Sequence, residues 1–226
     1  MHLKTGGITV RGPIIARDIK VPPRSLEGYL SVPAAANGLV IFAHGSGSSH
    51  LSPRNMRVAH ALNAAGLATL LFDLLSPAEA EDRQNVFDIP LLASRLEEAV
   101  RWCAEREDTA QLPVGIFGAS TGAGAALAAA AFMPERILAV VSRGGRPDLA
   151  GDALAGVRAH TLLIVGALDS VVIELNRRAM KQLACPVKLE IVPGATHLFE
   201  EPGTLDAVID LARDWFVKHL IQGPAI

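Results

Sequence analysis

The sequence predicts an α/β fold: a mostly parallel sheet of about eight strands with helices on both faces. Five apolar runs show no polar alternation, which is typical of strands buried on both faces. Helical patterns separate these runs, and such alternation indicates a doubly wound sheet. Half of the 226 residues are hydrophobic, so a large core is available. We expect residues 1–226 to form one domain.

An N-terminal hairpin is predicted ahead of the parallel strands. Residues 17–21 and 26–32 alternate polar and apolar side chains, so each segment has one solvated face. The sequence Pro22-Pro23-Arg24-Ser25 between them is a turn signal, and the pair should lie antiparallel at a sheet edge. The later strands are predicted at 39–43, 67–72, 114–117, 137–141, 162–165 and 187–192.

Helices are predicted between the strands. Ser52 followed by Pro53 marks a helix start, and Gly66 marks its end. The other helices are predicted at about 89–106, after Ser120, and at 148–155, 171–183 and 205–220. The polar segment 74–88 is predicted to be the longest irregular stretch. The connection after the sixth strand spans only residues 142–147, so we expect no cap domain.

The composition argues against several classes of partner. The net charge is −2 and no basic run occurs, which disfavours nucleic acid. No apolar stretch approaches the roughly 18 residues of a membrane helix, and residues 1–7 lack the apolar core of a signal peptide. Cys103 and Cys185 lack metal-like spacing and are expected to be buried, reduced thiols, so we expect a cytoplasmic protein. His44, His50 and His60 have no accompanying acidic cluster, so no metal site is expected.

A strand, a tight turn and a small-residue helix meet at Ser120. Residues 118–122 read Gly-Ala-Ser-Thr-Gly and fit G-x-S-x-G, in which the serine stands at the apex of the turn. The glycines have a steric reason, because larger side chains two residues from a strained serine would collide. A turn with a merely capping serine is the alternative. The tight turn at Ser120 explains the glycines of Gly122-Ala123-Gly124 better than a dinucleotide-binding motif does. No cofactor is therefore expected.

Two further polar residues follow neighbouring strands. Ligands of parallel sheets bind at the carboxyl ends of the strands. A serine hydroxyl needs a base to take its proton, and the best base is a histidine held by a carboxylate. Ser120, Asp169 and His197 follow three predicted strands in the chain order Ser, Asp, His.

With these motifs the chain resembles the α/β-hydrolases, in particular their dienelactone hydrolase-like branch. The resemblance runs from about Arg17 to the C-terminus. Its most specific parts are His44-Gly45, the Ser120 turn and the segments 166–169 and 194–197. Dienelactone hydrolases proper use a cysteine nucleophile where this chain has Ser120. That departure fits a serine esterase mechanism and does not carry over the lactone substrate.

The resemblance implies a role for each of these residues. Ser120 would attack an acyl carbonyl, His197 would take the proton, and Asp169 would orient His197. The backbone N–H of Thr121 would be one oxyanion donor. The second would be the N–H of Ser46 or, alternatively, of Gly47.

Several residues keep a second interpretation. Asp169 is also placed to cap the following helix, and His197 to pack on Phe199. Arg143 and Arg146 follow the sixth strand, where they would hold a substrate carboxylate. We favour the alternative that they form salt bridges with Asp148 or with the acidic segment 79–82.

The sequence therefore predicts a serine hydrolase that cleaves a small carboxylic ester or related acyl bond, as a monomer or homodimer. Its expected partner is a small-molecule acyl substrate. The absence of a long lid insertion favours short, soluble esters. An acyltransferase that uses the same acyl-enzyme is an alternative, as is a non-catalytic binding protein that keeps the fold.

Overall fold

A computed structural model describes residues 13–222 of the chain. Eight strands form one sheet in the order β1-β2-β4-β3-β5-β6-β7-β8. β1 and β2 are antiparallel to each other, and β2 is antiparallel to β4. The pairings from β4 through β3 to β8 are all parallel. The predicted α/β architecture, a mostly parallel sheet of eight strands with an N-terminal antiparallel hairpin, is confirmed.

The strands begin and end close to the predicted positions, since burial on both faces produces continuous apolar runs. Residues 1–7, where we expect no signal peptide, lie outside the described residues. The strands are β1 (Ile14–Val21), β2 (Leu26–Pro33), β3 (Leu39–Ala43), β4 (Ala68–Phe72), β5 (Val114–Ala119), β6 (Ile137–Arg143), β7 (His160–Gly166) and β8 (Val187–Val192).

Helices cover both faces of the sheet and enclose two apolar layers. One layer joins alternate strand residues such as Ile41 and Ile116 to α4 and α5. The opposite layer joins the intervening residues, such as Phe42 and Phe117, to α1 and α7. The helices are α1 (Pro53–Ala64), α2 (Pro77–Glu81), α3 (Arg83–Phe87), α4 (Ile89–Ala104), α5 (Thr121–Phe132), α6 (Ser170–Met180) and α7 (Thr204–Phe216).

One prediction of local structure was wrong, and a second needs a refinement. The segment 74–88 is not irregular, because it contains α2 and α3. Ser76 and Glu79 form a reciprocal capping box that starts α2, a signal that is readable in the sequence. The helix predicted at 148–155 is present, as a 3₁₀ helix over Pro147–Gly156 that is kinked at Gly151.

The last predicted helix is also modified at its end. It becomes a π-helical turn, Val217–Ile221, after α7. No described helix has the length and apolar character needed to cross a bilayer. Both cysteines are free and buried, as expected.

Two histidines stack where the C-terminal turn meets the start of β7. The rings of His160 and His219 are 4.1 Å apart, and the ring of Trp215 is 4.4 Å from that of His219. Burial, together with the neighbouring His160 and Lys218, lowers the pKa of His219 to about 4. Burial and Lys218 also lower the pKa of His160. This cluster therefore remains uncharged at neutral pH.

We expect His219 to make the fold sensitive to acid. Unfolded chains bind a proton to histidine near pH 6.5, whereas folded His219 resists protonation down to about pH 4. The unfolded state thus binds more protons in this window, and stability falls as the pH drops through it. His219→Gln should therefore lose less Tm than the wild type between about pH 7 and about pH 5. The exposed His60→Gln is the control, and an equal loss in all three proteins would contradict the prediction.

Candidate active site

The turn between β5 and α5 holds Ser120 in a strained conformation. Ser120 has φ 50° and ψ −122°, a region that non-glycine residues rarely occupy and that is characteristic of functional turns. Its hydroxyl makes no capping hydrogen bond to α5. Its backbone is fixed instead, since its N–H donates to Arg143 O at 3.3 Å and its carbonyl accepts from Arg146 N at 3.0 Å.

The glycines on either side of Ser120 are required by close backbone contacts. A Cβ at Gly118 would lie 2.5 Å from the Cα of Ala123. A Cβ at Gly122 would overlap the carbonyl oxygens of Ala43 and His44. The start of α5 is therefore packed directly against the end of β3, which brings the loop after β3 to Ser120.

Asp169 and His197 form a hydrogen-bonded pair at the same edge of the sheet. Asp169 Oδ2 lies 2.7 Å from His197 Nδ1. Asp169 precedes α6 but makes no side-chain cap, so its carboxylate is used for the histidine. The pair orients the ring and leaves Nε2 directed away from Asp169, as proton transfer from a serine requires.

The segment after β6 lies between the Ser120 turn and the His197 loop. Arg143 and Arg146 hold the backbone of Ser120, and a Cβ at Gly144 would lie 3.6 Å from His197 Cε1. Ser120 Oγ and His197 are not hydrogen-bonded in the described part of the chain. Such contacts are commonly longer before a substrate binds.

The loop after β3 reaches the first residue of α5. Ser46 N–H donates to Thr121 Oγ1 at 3.1 Å, which places both predicted oxyanion residues together. Thr121 opens α5, where backbone N–H groups lack helical partners and favour negative charge. Gly47 has φ 70° and lines the cavity beside the loop.

His44 braces this loop, and its hydrogen bonds determine its tautomer. Leu74 N–H donates to His44 Nε2 at 3.1 Å, so the ring proton is on Nδ1, 3.0 Å from Gly45 O. Burial lowers the pKa of His44, which keeps the ring neutral. The loop is thus attached to the chain that follows β4.

A second Asp–His pair, Asp73 with His50, was not predicted from the sequence. Asp73 accepts from the backbone N–H of His50 at 2.7 Å, and its other oxygen lies 2.9 Å from His50 Nδ1. Because Asp73 directly follows β4, the sequence predicts that it lies at the carboxyl edge of the sheet. The sequence does not predict that the loop after β3 folds back and brings His50 to Asp73. Because Asp73 is occupied by His50, it is not the partner of His197.

A cavity of about 300 Å³ opens beside Ser46 and Thr121. α2 and α3 cover it through Ala80 and Val86, and Leu92 of α4 lies opposite them. The cover is held by an ion pair between the buried Arg95 and the half-buried Glu79, in which Arg95 Nη2 lies 2.8 Å from Glu79 Oε1. A hydrogen bond from Ser76 N–H, with help from Arg95, lowers the pKa of Glu79 and keeps it ionised. The cavity can hold an apolar group that extends from the reacting carbonyl.

Arg143 and Arg146 differ in their contacts. Arg146 binds Asp148 through two hydrogen bonds of 2.8 and 2.7 Å, as we favoured. Arg143 was expected to do the same or to pair with the acidic segment, and this expectation was wrong. It is buried and makes no ion pair within residues 13–222. Its last strand position turns the side chain away from the loop that carries Asp148.

No cluster of three or more metal-binding side chains occurs within residues 13–222.

No family model matches the chain. Two Mycobacterium tuberculosis proteins, from strains CDC 1551 / Oshkosh and ATCC 25618 / H37Rv, are 62% identical over 204 residues, which cover 90% of this chain. Their names propose a phosphoribosyl transferase, and the chain spans only 46% of their length.

Solved structures give a consistent relationship. A dienelactone hydrolase from Anabaena variabilis is 55% identical, with a TM-score of 0.87 over 92% of this chain and 98% of its own. Est1E from Butyrivibrio proteoclasticus shares the fold at 17% identity, with a TM-score of 0.75 over 90% of this chain and 98% of its own. The fold is that of an α/β-hydrolase. Within that class, the chain belongs to the dienelactone hydrolase-like proteins.

The close approach at Gly122 gives a stability prediction. Gly122→Ala should destabilise the protein by about 3 kcal/mol, because the new methyl group has no space against the end of β3. Gly156→Ala is a matched control, since its nearest neighbour would be the Ala131 Cβ at 3.3 Å. Urea unfolding measures both variants, and equal free energies of unfolding would contradict the proposed close packing.

Proposed function

We propose that the chain is a serine hydrolase that cleaves a small carboxylic ester or related acyl bond through an acyl-enzyme. The observation that carries the proposal is the strained Ser120 turn at the sheet edge where Asp169 and His197 form a hydrogen-bonded pair. The family relationship supports hydrolysis of esters, and the site chemistry supports serine as the nucleophile.

In the proposed reaction Ser120 Oγ attacks the acyl carbonyl while His197 Nε2 takes the hydroxyl proton. Asp169 holds the resulting imidazolium by its hydrogen bond to Nδ1. Collapse of the tetrahedral intermediate breaks the bond to the alcohol, which leaves with the proton from His197. Water then repeats the sequence on the acyl-enzyme, releasing the acid and restoring Ser120.

The developing oxyanion requires donors that are already in place. The backbone N–H of Thr121 is at the start of α5, and Ser46 N–H lies beside it. In the proposed transition state Ser46 N–H shares its proton between Thr121 Oγ1 and the oxyanion. Loss of one such donor typically costs about 10²–10³ in rate.

The cavity beside these donors is the proposed acyl site. Its apolar cover and limited volume suit a short acyl chain, whereas the other side of the site is open. Leu168, Val171 and Leu198 are exposed around the Asp169–His197 pair, so the leaving group would remain near solvent.

The names of the two longer relatives suggest a different activity. Phosphoribosyl transfer is stated only in the names of proteins about twice as long as this chain, and Ser120, Asp169 and His197 do not argue for it. An acyltransferase on the same acyl-enzyme is the closer alternative. Product analysis in the presence of an added alcohol or amine distinguishes acyl transfer from hydrolysis.

Covalent labelling tests the nucleophile directly. A fluorophosphonate should label the folded wild-type protein, and Ser120→Ala should remove the label without lowering Tm, because only the attacking oxygen is lost. Intact-mass spectrometry and peptide mapping give the readout. Folded wild-type protein that stays unlabelled would remove the enzyme proposal and favour a binding protein.

Asp169 should act through His197 and not through the fold. Asp169→Asn should lower kcat for a p-nitrophenyl ester by about 10⁴-fold, since it disfavours the productive tautomer. Glu174→Gln, an exposed site on the same helix α6, is the matched control. Similar rates in both variants would contradict the assigned role of Asp169.

The length of the accepted acyl chain should depend on the cavity cover. On p-nitrophenyl esters of increasing acyl length, Val86→Phe should shorten the longest chain that is turned over efficiently, because it fills the cavity. The acetate ester should be unaffected. Gln84→Phe, exposed on the same helix α3, should keep the wild-type profile. An unchanged profile for Val86→Phe would place the acyl chain elsewhere.

A further inference from the structure

The most unusual charge in the described structure is Arg143. The residue is only 8% exposed, and its Nε and Nη1 atoms are buried without a hydrogen-bond partner within residues 13–222. Burial and the neighbouring Arg54 lower the pKa of Arg143 to about 10. The guanidinium therefore remains positively charged at neutral pH, and none of the described carboxylates forms an ion pair with it.

The side chain lies on the face of the sheet that carries α1 and α7. Ala139 and Val141 belong to that apolar layer, and alternation along β6 places Arg143 on the same side. Arg54, in the first turn of α1, contributes the repulsive charge that Arg143 experiences. Arg54 Nη1 binds Glu200 at 3.0 Å, whereas its Nε is also buried and unpartnered.

We propose that Arg143 and Arg54 form a binding site for a small anion between β6 and α1. Two arginines with three buried, unpartnered nitrogen atoms cannot be balanced by Glu200 alone, and an uncompensated buried charge is strongly unfavourable. Guanidinium groups favour carboxylate and other oxyanions, to which they donate parallel hydrogen bonds. The first turn of α1 adds favourable backbone dipoles.

The burial of these donors restricts the size of the occupant. Arg143 Nε and Nη1 have almost no accessible surface, so a bulky ligand cannot surround them. The shared chemistry is a compact anionic group, which is either free in solution or the carboxylate of an otherwise apolar ester. The site is next to the Ser120 turn, because the carbonyl of Arg143 accepts the Ser120 N–H.

The anion site does not depend on the proposed reaction, so thermal unfolding tests it without a substrate. Sodium formate, chloride or phosphate should raise the Tm of the wild type in a saturable manner relative to sodium HEPES of equal ionic strength. Arg143→Met should abolish this increase, whereas Arg57→Met, an exposed arginine on the same helix as Arg54, should retain it. In HEPES alone, Arg143→Met should have a higher Tm than the wild type, because an unbalanced buried charge has been removed.

A second arm identifies a carboxylate carried by the substrate. The kcat/KM for mono-p-nitrophenyl succinate relative to p-nitrophenyl butyrate should fall by about tenfold or more in Arg143→Met. If Arg143→Met changes only the anion-dependent increase in Tm, the occupant is a free anion. If it changes only the kcat/KM ratio of the two esters, the occupant is the substrate carboxylate. The proposal is overturned if neither responds, or if Arg143→Met is strongly destabilised in HEPES, which would make the guanidinium a structural group.

Discussion

The packing of the β5–α5 turn against the end of β3 is the constraint on which the site depends. Gly118 and Gly122 permit contacts that no larger residue allows, and these contacts hold Ser120 at a positive φ. The strain at Ser120 is thus maintained by two buried elements. The same contact brings Ser46 to Thr121, so the nucleophile position and the proposed oxyanion donors are fixed together.

The remaining polar groups reach this turn because the parallel strands end at one edge. Asp169 follows β7 and His197 follows β8, and the edge brings them within 2.7 Å across 28 residues of chain. His44 and Asp73 follow β3 and β4 on the opposite side of Ser120. There they hold loops, since His44 binds Leu74 and Asp73 binds His50. The same edge of the sheet therefore holds two Asp–His pairs. Asp169–His197 is the proposed proton-transfer pair, and Asp73–His50 supports a loop.

The positions of the strands and of Ser120, Asp169 and His197 could be predicted because they depend on local signals. Burial on both faces gives apolar runs, and the Ser120 turn is specified by the five residues 118–122. The Asp73–His50 pair could not be predicted, because it depends on how residues 45–52 fold back. Arg143 was misjudged for a similar reason. Its surroundings are determined by where α1 docks, whereas Arg146 binds a carboxylate only two residues away. The capping box that starts α2 is also a local signal, because it consists of Ser76 followed three residues later by Glu79.

The two sides of the Ser120 turn differ in charge, so that the two sides favour different chemical groups. On the side of α2 and α3, the cavity walls are mostly apolar, and the one acidic side chain among the described lining residues, Asp73, is bound to His50. On the side of α1, Arg143 and Arg54 carry positive charge with incomplete compensation. The proposed acyl site therefore lies on the uncharged side, and the proposed anion site lies on the positively charged side. Because Ser120 is held between them, its backbone links the two halves: its N–H binds Arg143, and α5 begins at the cavity.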